Sequence, residues 1–270
     1  MAYRITSRVY NKKFWYLAVP KTGSQAVREL IEKLPEDQYV SHPSLLWHMT
    51  ATDIAGTHGI NKSFPKVKFF NDNSDAFFTT VRNPWARAVS FYFYQKQKLE
   101  ERLVAYSNET EAKLFKEKFP FHVFDYDDKA AKDGIERILE CSFQTFEDWL
   151  NSVVESRPNR SCVINSLDDV DACLTSDKYK RLEGFAYLNT YDYFINHKSF
   201  SRLLVFTQEN MGALLDWFGV AFDVPEDILK LNKINVQGIG DKYRDYYSSK
   251  MAKIIEEHES YIINMVGYRY

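Results

Sequence analysis

Long apolar runs, abundant cysteine and a strong net charge are all missing from this sequence of 270 residues. No stretch approaches the roughly eighteen apolar residues that a membrane span requires, and residues 1–13 are too polar to open a signal peptide. We therefore expect a cytoplasmic protein without a membrane span. The formal net charge of −2 argues against nonspecific binding of nucleic acid.

The cysteines are too few for a disulfide framework. Cys141, Cys162 and Cys173 have no spacing typical of a metal site and cannot all pair, so a reducing compartment is expected. The hydrophobic content of 45% suits a globular core, and composition does not shift sharply along the chain. These features predict one domain over residues 1–270.

A polar turn follows an apolar run in residues 14–30, FWYLAVPKTGSQAVREL. The pattern predicts a buried strand over Phe14–Val19 and a helix over Ser24–Leu34. A helix N-terminus has unpaired backbone N–H groups and a partial positive charge, so a turn with Lys21 beside it is suited to bind a phosphate. The turn is not a Walker A motif, because its lysine precedes its glycine. An ordinary turn capped by Ser24 or Thr22 is the alternative.

A second strand and helix carry another basic residue between them. Ala76–Val81 is predicted to be a strand, and Pro84 fits the first position of a helix. Arg82 could hold a phosphate through two parallel hydrogen bonds, and the Ser90 hydroxyl could donate a third. Alternatively, Arg82 lies on the surface and Ser90 packs between helices, but the first turn favours the phosphate interpretation.

The remaining pattern also alternates strands with helices. A strand is predicted at Leu203–Phe206, and helices at Phe143–Val154, Met211–Phe218 and Ser248–Met265. This order favours an α/β fold with a mainly parallel sheet, in which ligands bind beyond the carboxyl ends of the strands. Lys21 and Arg82 are both expected there. The aromatic cluster FYFY at 91–94 could stack on a sugar or adenine, although its helical spacing favours core packing.

At these motifs the sequence resembles the sulfotransferases that use 3′-phosphoadenosine 5′-phosphosulfate (PAPS), especially the carbohydrate-type branch. Residues 20–24, PKTGS, match the family's loop for the 5′-phosphosulfate, and residues 82–84, RNP, with Arg87 and Ser90, match its 3′-phosphate motif. Looser similarity extends to HMTATDI at 48–54, LLVFTQENM at 203–211 and the C-terminal segment 243–268. Gln25 departs from the pattern, since a small hydroxyl residue is common there. The implied fold is α/β, P-loop-like and three-layered, with a central sheet flanked by helices.

The resemblance implies transfer of a sulfuryl group from PAPS to an acceptor hydroxyl, on a glycan or another small molecule. Adenosine 3′,5′-bisphosphate (PAP) would leave, and no metal is implied because cationic side chains can supply the positive charge. Lys21 would be catalytic and would bind the donor together with its neighbours. The implied donor-binding residues are Lys21, Thr22, Gly23, Ser24, Gln25, Arg82 and Ser90.

The acceptor hydroxyl must lose a proton, so a general base is expected. His48 is the first candidate, with a structural histidine as the alternative interpretation, and His58 and His42 are weaker candidates. In QGIGDKY, residues 237–243, Gly240 and Lys242 could belong to a loop that closes over the nucleotide; a plain surface turn fits equally well.

Two other functions remain open from the residues alone. An atypical nucleotide-dependent kinase would need an acidic magnesium ligand after a strand, and no convincing Walker B pattern is present. A noncatalytic protein that binds a bisphosphate nucleotide or an anionic glycan is the third possibility. The oligomeric state has no sequence signal.

Overall fold

The computed structural model describes residues 2–19, 21–42, 75–106, 108–118, 129–155, 191, 203–230 and 240–270. Among the residues singled out above, Pro20, His48, His58, Cys162 and Cys173 lie outside this set. The elements in chain order are β1 (Ala2–Ser7), β2 (Lys12–Leu17), α1 (Ser24–Ile31), β3 (Tyr39–His42), β4 (Asp75–Val81), α2 (Pro84–Ala105), α3 (Glu109–Lys118), α4 (Lys129–Ser142), α5 (Phe146–Glu155), β5 (Leu203–Thr207), a 3₁₀ helix (Gln208–Asn210), α6 (Met211–Phe222), a second 3₁₀ helix (Gly240–Tyr246), α7 (Ser249–His258) and α8 (Ser260–Val266).

The described strands form one mixed sheet in the order β3-β1-β2-β4-β5. β2 pairs with β4 and β4 with β5, both in parallel, whereas β1 is antiparallel to both β2 and β3. Four of these five strands therefore run in one direction. The prediction of a mainly parallel sheet flanked by helices is confirmed, with β1 and β3 as strands that the sequence pattern did not predict.

Alternating side chains of the strands build a core on each face of the sheet. Phe14 and Tyr16 of β2 point to one face, where they pack with α1 and α6. Trp15 and Leu17 point to the other face, where they meet Ile262 of α8. This period of two is the strand geometry expected for residues buried on both sides. Helices consequently pack on both faces of the sheet.

Helix α2 joins the sheet to the C-terminal helices. Trp85 and Val89 of α2 are buried in an apolar cluster with residues of α5 and α7. The indole N–H of Trp85 donates a hydrogen bond to the Ala252 carbonyl at 2.9 Å. Two residues further along the same helix, Arg87 pairs with Glu259 at 2.7 Å, and both side chains are only 1% exposed.

The C-terminal helix is interrupted where the sequence predicted a continuous one. The apolar spacing over Ser248–Met265 predicted a single helix, but α7 ends at His258 and α8 begins at Ser260. Glu259 lies between them with φ −107° and ψ 21°, and its carboxylate faces Arg87 in the core. Helical periodicity records which residues are apolar and carries no signal for this distant ion pair.

Removal of the buried carboxylate should be costly, because it leaves the Arg87 charge without its partner. Glu259→Ala should lower the free energy of unfolding by about 3–5 kcal/mol, measured by urea denaturation. Glu109→Ala is the matched control, since the Glu109–Lys113 pair has side chains 64% and 70% exposed. That variant should change stability by less than about 1 kcal/mol. Equal losses of unfolding free energy in the two variants would show that the buried pair contributes no more to stability than the exposed one.

Candidate active site

The loop after β2 reverses the chain through two left-handed residues. Lys21 has φ 66° and Gly23 has φ 82°. A positive φ is easy for glycine but uncommon for lysine, and residues held in this way are concentrated at functional sites. α1 begins at the next residue, Ser24, so the reversal brings the helix N-terminus to the carboxyl end of β2.

Thr22 anchors this loop to two strands. It is fully buried, and its hydroxyl donates to the Val19 carbonyl at 2.9 Å and hydrogen-bonds the Thr80 hydroxyl at 3.1 Å. The Thr80 hydroxyl also lies 3.0 Å from that of Tyr16. The hydroxyl chain therefore fixes the loop against both β2 and β4.

The N-terminus of α1 has no side-chain cap. Gly23 occupies the N-cap position, and the Thr22 hydroxyl is engaged with Val19 and Thr80 instead. The first turn of α1 also contains no acidic residue. The turn capped by Ser24 or Thr22, which was the alternative interpretation, is therefore absent. An uncapped first turn is suited to bind an anion through its backbone N–H groups.

The Lys21 ammonium lies in a partly buried, electropositive place. Burial, together with the positive charges of Arg82 and Lys98, lowers its pKa from 10.5 to about 8. Its Nζ stands 4.1 Å from the ring centre of Tyr94, whose negative face attracts a cation. The positive charges of Arg82, in a second loop, and Lys98, on α2, thus act on Lys21. Such a cluster of positive charge favours an anionic ligand.

Arg82 follows β4 directly, as the sequence predicted. Its backbone is fixed by Tyr191, because the Arg82 N–H donates to the tyrosine hydroxyl at 2.9 Å and that hydroxyl donates to the Arg82 carbonyl at 2.7 Å. Burial lowers the pKa of the Arg82 guanidinium, and the charge of Glu209 opposes the shift. Among the ion pairs of the described residues, none engages Arg82.

The turn after Arg82 is held by a carboxylate that the sequence analysis did not single out. Asn83 caps α2 by accepting from the Ala86 N–H at 3.2 Å. Its own N–H donates to Glu209 Oε1 at 2.8 Å, and the Tyr268 hydroxyl donates to Glu209 Oε2 at 2.9 Å. Burial and the nearby Glu209 charge raise the pKa of Tyr268. Glu209 thereby ties the turn to the C-terminal segment.

Gln208 is a second residue that sequence reasoning did not single out. A Cβ added at Gly23 would lie 3.7 Å from Gln208 Cγ, so this side chain packs directly on the loop. Its Oε1 is buried and has no hydrogen-bond partner in the described part of the chain. Both Gln208 and Glu209 follow β5, the next parallel strand. The rule that ligands bind beyond the carboxyl ends of parallel strands could have identified them.

Two residues of the predicted 3′-phosphate motif lie inside the protein. The Arg87 guanidinium is paired with Glu259 in the core, so this arginine has a structural role. Ser90 is 5% exposed on α2, six residues after Pro84. Its proposed phosphate contact stays a prediction.

The other predicted residues occupy different parts of the structure. Gly240 begins the second 3₁₀ helix, and Lys242 is exposed on it. Tyr243 of the same helix accepts a hydrogen bond from Asn83 Nδ2 at 3.4 Å, which brings this helix to the Arg82 turn. Of the candidate bases, His42 ends β3 and pairs with Ala2 in the sheet, while His48 lies beyond the described segment.

A family model described as "Sulfotransferase family" matches residues 6–178, which is more than half of the chain. The chain belongs to the sulfotransferase family. The match includes both the loop around Lys21 and the turn at Arg82. Comparison of this sulfotransferase with curated proteins and with solved structures found no significant match.

None of the helices that the structure describes in this sulfotransferase is both long and apolar enough to cross a bilayer. The described residues also contain no group of three or more histidine, cysteine or acidic side chains arranged to hold a metal ion.

The buried charge of Lys21 should reduce the stability of the sulfotransferase. The folded state holds this proton with a pKa of about 8 and the unfolded chain with one near 10.5, so the unfolded chain binds more protons between these values. The loss of folding stability caused by this charge is at its full size below pH 8, and it declines as pH rises above that value. Lys21→Met should raise the free energy of unfolding at pH 7 by about 1–3 kcal/mol, with a smaller gain at pH 9.5.

Denaturation curves at the two pH values would measure this difference. Lys250→Met, at an exposed position of α7, is the matched control and should change stability by less than about 0.5 kcal/mol at either pH. A Lys21→Met variant that is less stable than the wild type at pH 7 would contradict the electrostatic explanation.

Proposed function

We propose that this sulfotransferase transfers the sulfuryl group of PAPS to an acceptor hydroxyl, on a carbohydrate or another small molecule. One observation carries the proposal: Lys21 and Arg82 follow neighbouring parallel strands, β2 and β4, beside the uncapped N-terminus of α1. Adjacent strands lie about 4.8 Å apart, so the two cationic positions can engage two anionic groups of one ligand. A P-loop-like fold in a single domain over residues 1–270 is part of this proposal.

The donor's two anionic ends fit the two motifs. The backbone N–H groups from Thr22 to Gln25, with Lys21, would hold the 5′-phosphosulfate. Arg82 would hold the 3′-phosphate with Ser90, and Gly240 and Lys242 would contribute from the second 3₁₀ helix. This fit rests on the uncapped turn and on an arginine without an ion-pair partner among the described residues. When bound, PAPS supplies an activated sulfuryl group and a phosphate leaving group.

Lys21 would stabilise the charge that develops on the leaving-group oxygen. Its pKa of about 8 keeps most of the side chain protonated at neutral pH, and a bound anion would raise that pKa. A fixed cation in a largely dry place stabilises developing charge far better than a hydrated one. In this proposal, the catalytic cation would already be in position before the ligand arrives.

His48 is our proposed general base. β3 runs in the same direction as β2. Its last residue, His42, therefore lies at the same end of the sheet as the Lys21 loop, where both strands have their carboxyl ends. His48 follows His42 by six residues, so the segment that contains it begins at this end of the sheet. This placement supports a base near the donor. His58 and His42 are the alternatives.

Nucleotide binding tests the donor assignment. PAP should bind much more tightly than AMP, because the 3′-phosphate gains charge-assisted hydrogen bonds from Arg82. Arg82→Ala should weaken PAP binding by roughly tenfold to a hundredfold and leave AMP binding nearly unchanged, as measured by calorimetry. Arg8→Ala, which removes an exposed arginine paired with Asp37, is the control. Equal affinities of the wild type for PAP and AMP would refute the 3′-phosphate assignment.

Turnover tests the base and the cation separately. Transfer of labelled sulfate from PAPS to pooled glycans, lipids and small alcohols would first identify an acceptor. His48→Ala should then keep its PAP affinity and lose roughly a hundredfold to ten-thousandfold in kcat, because proton transfer is lost and binding is not. Lys21→Met should lose roughly a hundredfold to a thousandfold.

His58→Ala and His42→Ala are the matched controls and should have milder effects. A His48 variant with normal kcat, beside an inactive His58 or His42 variant that still binds PAP, would reassign the base. Absence of PAPS-dependent transfer to every acceptor, together with normal PAP binding, would favour a noncatalytic nucleotide-binding protein.

A further inference from the structure

Two lysines share one aromatic ring beside the proposed donor loop. Lys21 Nζ lies 4.1 Å from the ring centre of Tyr94, and Lys98 Nζ lies 4.7 Å from the same centre. Both distances are within the roughly 6 Å at which a cation is attracted to a ring face. Tyr94 and Lys98 belong to α2 and are four residues apart, so they are neighbours on one side of that helix.

The surroundings of Lys21 oppose its charge from several directions. Burial is the largest cause of the lowered pKa of the ammonium, and among the described residues Arg82, at the end of β4, and Lys98, on α2, add to it. The face of Tyr94, also on α2, is the attractive contact that the geometry shows. A cation–π contact stabilises the charged form of lysine, whereas a neighbouring ammonium destabilises it. The two groups on α2 therefore act on Lys21 with opposite signs.

We propose that Tyr94 is the positioning residue of Lys21: its ring holds the ammonium beside the donor loop, while Lys98 on the same ring opposes that positive charge. The ring fixes where the cation sits, and the second lysine fixes how readily it gives up its proton. Tyr94 then does more than pack on α2. The effect of this pair on turnover rests on the proposed function, but its effect on the protonation of Lys21 does not.

Because Tyr94 and Lys98 affect the charge of Lys21 with opposite signs, their substitutions can test the proposal without an acceptor. The titration of Lys21 can be followed by NMR in protein carrying ¹⁵N- and ¹³C-labelled lysine, with Lys21→Met used to assign the signal. Tyr94→Leu keeps apolar bulk but removes the ring face, so the pKa of Lys21 should fall by roughly half a unit. Lys98→Gln removes a like charge, so the pKa should rise by roughly half a unit.

Two matched variants separate this role from a structural one. Tyr94→Phe keeps the ring and should leave the titration of Lys21 as in the wild type. Lys96→Gln makes the same charge change on the same helix, but Lys96 Nζ lies 5.9 Å from a different ring, that of Tyr92, and no shift is expected. Shifts of the same sign in Tyr94→Leu and Lys98→Gln, or no shift in either, would overturn the proposal. A Tyr94→Phe variant that behaves like Tyr94→Leu would also overturn it.

Kinetics then separate this inference from the proposed function. With an acceptor in hand, Tyr94→Leu should lower kcat by roughly twofold to thirtyfold, and the fall of the rate at high pH should move to lower pH. Lys98→Gln should move that fall to higher pH. Opposite NMR shifts in a protein that neither binds PAP nor transfers sulfate would refute the proposed function and support the Tyr94 role. PAP binding and sulfate transfer without these shifts would support the proposed function and refute the Tyr94 role.

Discussion

The hydrogen bond between the hydroxyls of Thr22 and Thr80 is the constraint on which the candidate site depends. It joins the loop after β2 to the neighbouring strand β4, and both threonines are fully buried. Lys21 stands immediately before one of these threonines and Arg82 two residues after the other. The distance between the two cationic positions is therefore set by strand pairing and by one buried hydroxyl contact, both of which are rigid.

The rigid backbone holds several positively charged side chains close together. Arg82 and Lys98 both oppose the charge of Lys21, and burial disfavours the charges of Lys21 and Arg82, which is unfavourable for the folded protein alone. The surrounding structure tolerates the arrangement because the chain nearby is strongly fixed by Tyr191 and by Glu209. Destabilised and firmly held charge of this kind is typical of a site that becomes fully stable only with its ligand present.

Local patterns in the sequence predicted much of this arrangement. An apolar run before a polar turn indicated both β2 and the loop at Lys21, and the Arg-Asn-Pro sequence indicated the start of α2 at Pro84. Such features depend on neighbours in the chain, so a single sequence records them. The strands β1 (AYRITS) and β3 (YVSH) contain no comparable apolar run and were missed.

Features that depend on distant residues could not be predicted in the same way. The pairing of Arg87 with Glu259 spans 172 residues and divides a helix whose apolar spacing is continuous. The cluster FYFY was expected to favour core packing, and Phe91 and Tyr92 are indeed buried. Tyr94 instead carries Lys21 on its ring, a contact that requires the loop and α2 to be folded against each other.

The left-handed backbone of Lys21 has a consequence for how this sequence can diverge. A lysine at φ 66° carries a conformational cost of about 1–2 kcal/mol that glycine avoids and asparagine reduces. Under the proposed catalytic role of Lys21, selection for activity would act against both replacements. In a duplicated copy released from that selection, glycine or asparagine would accumulate at position 21 while the fold survived. Either residue at this position would then mark a relative that has kept the architecture and lost the chemistry.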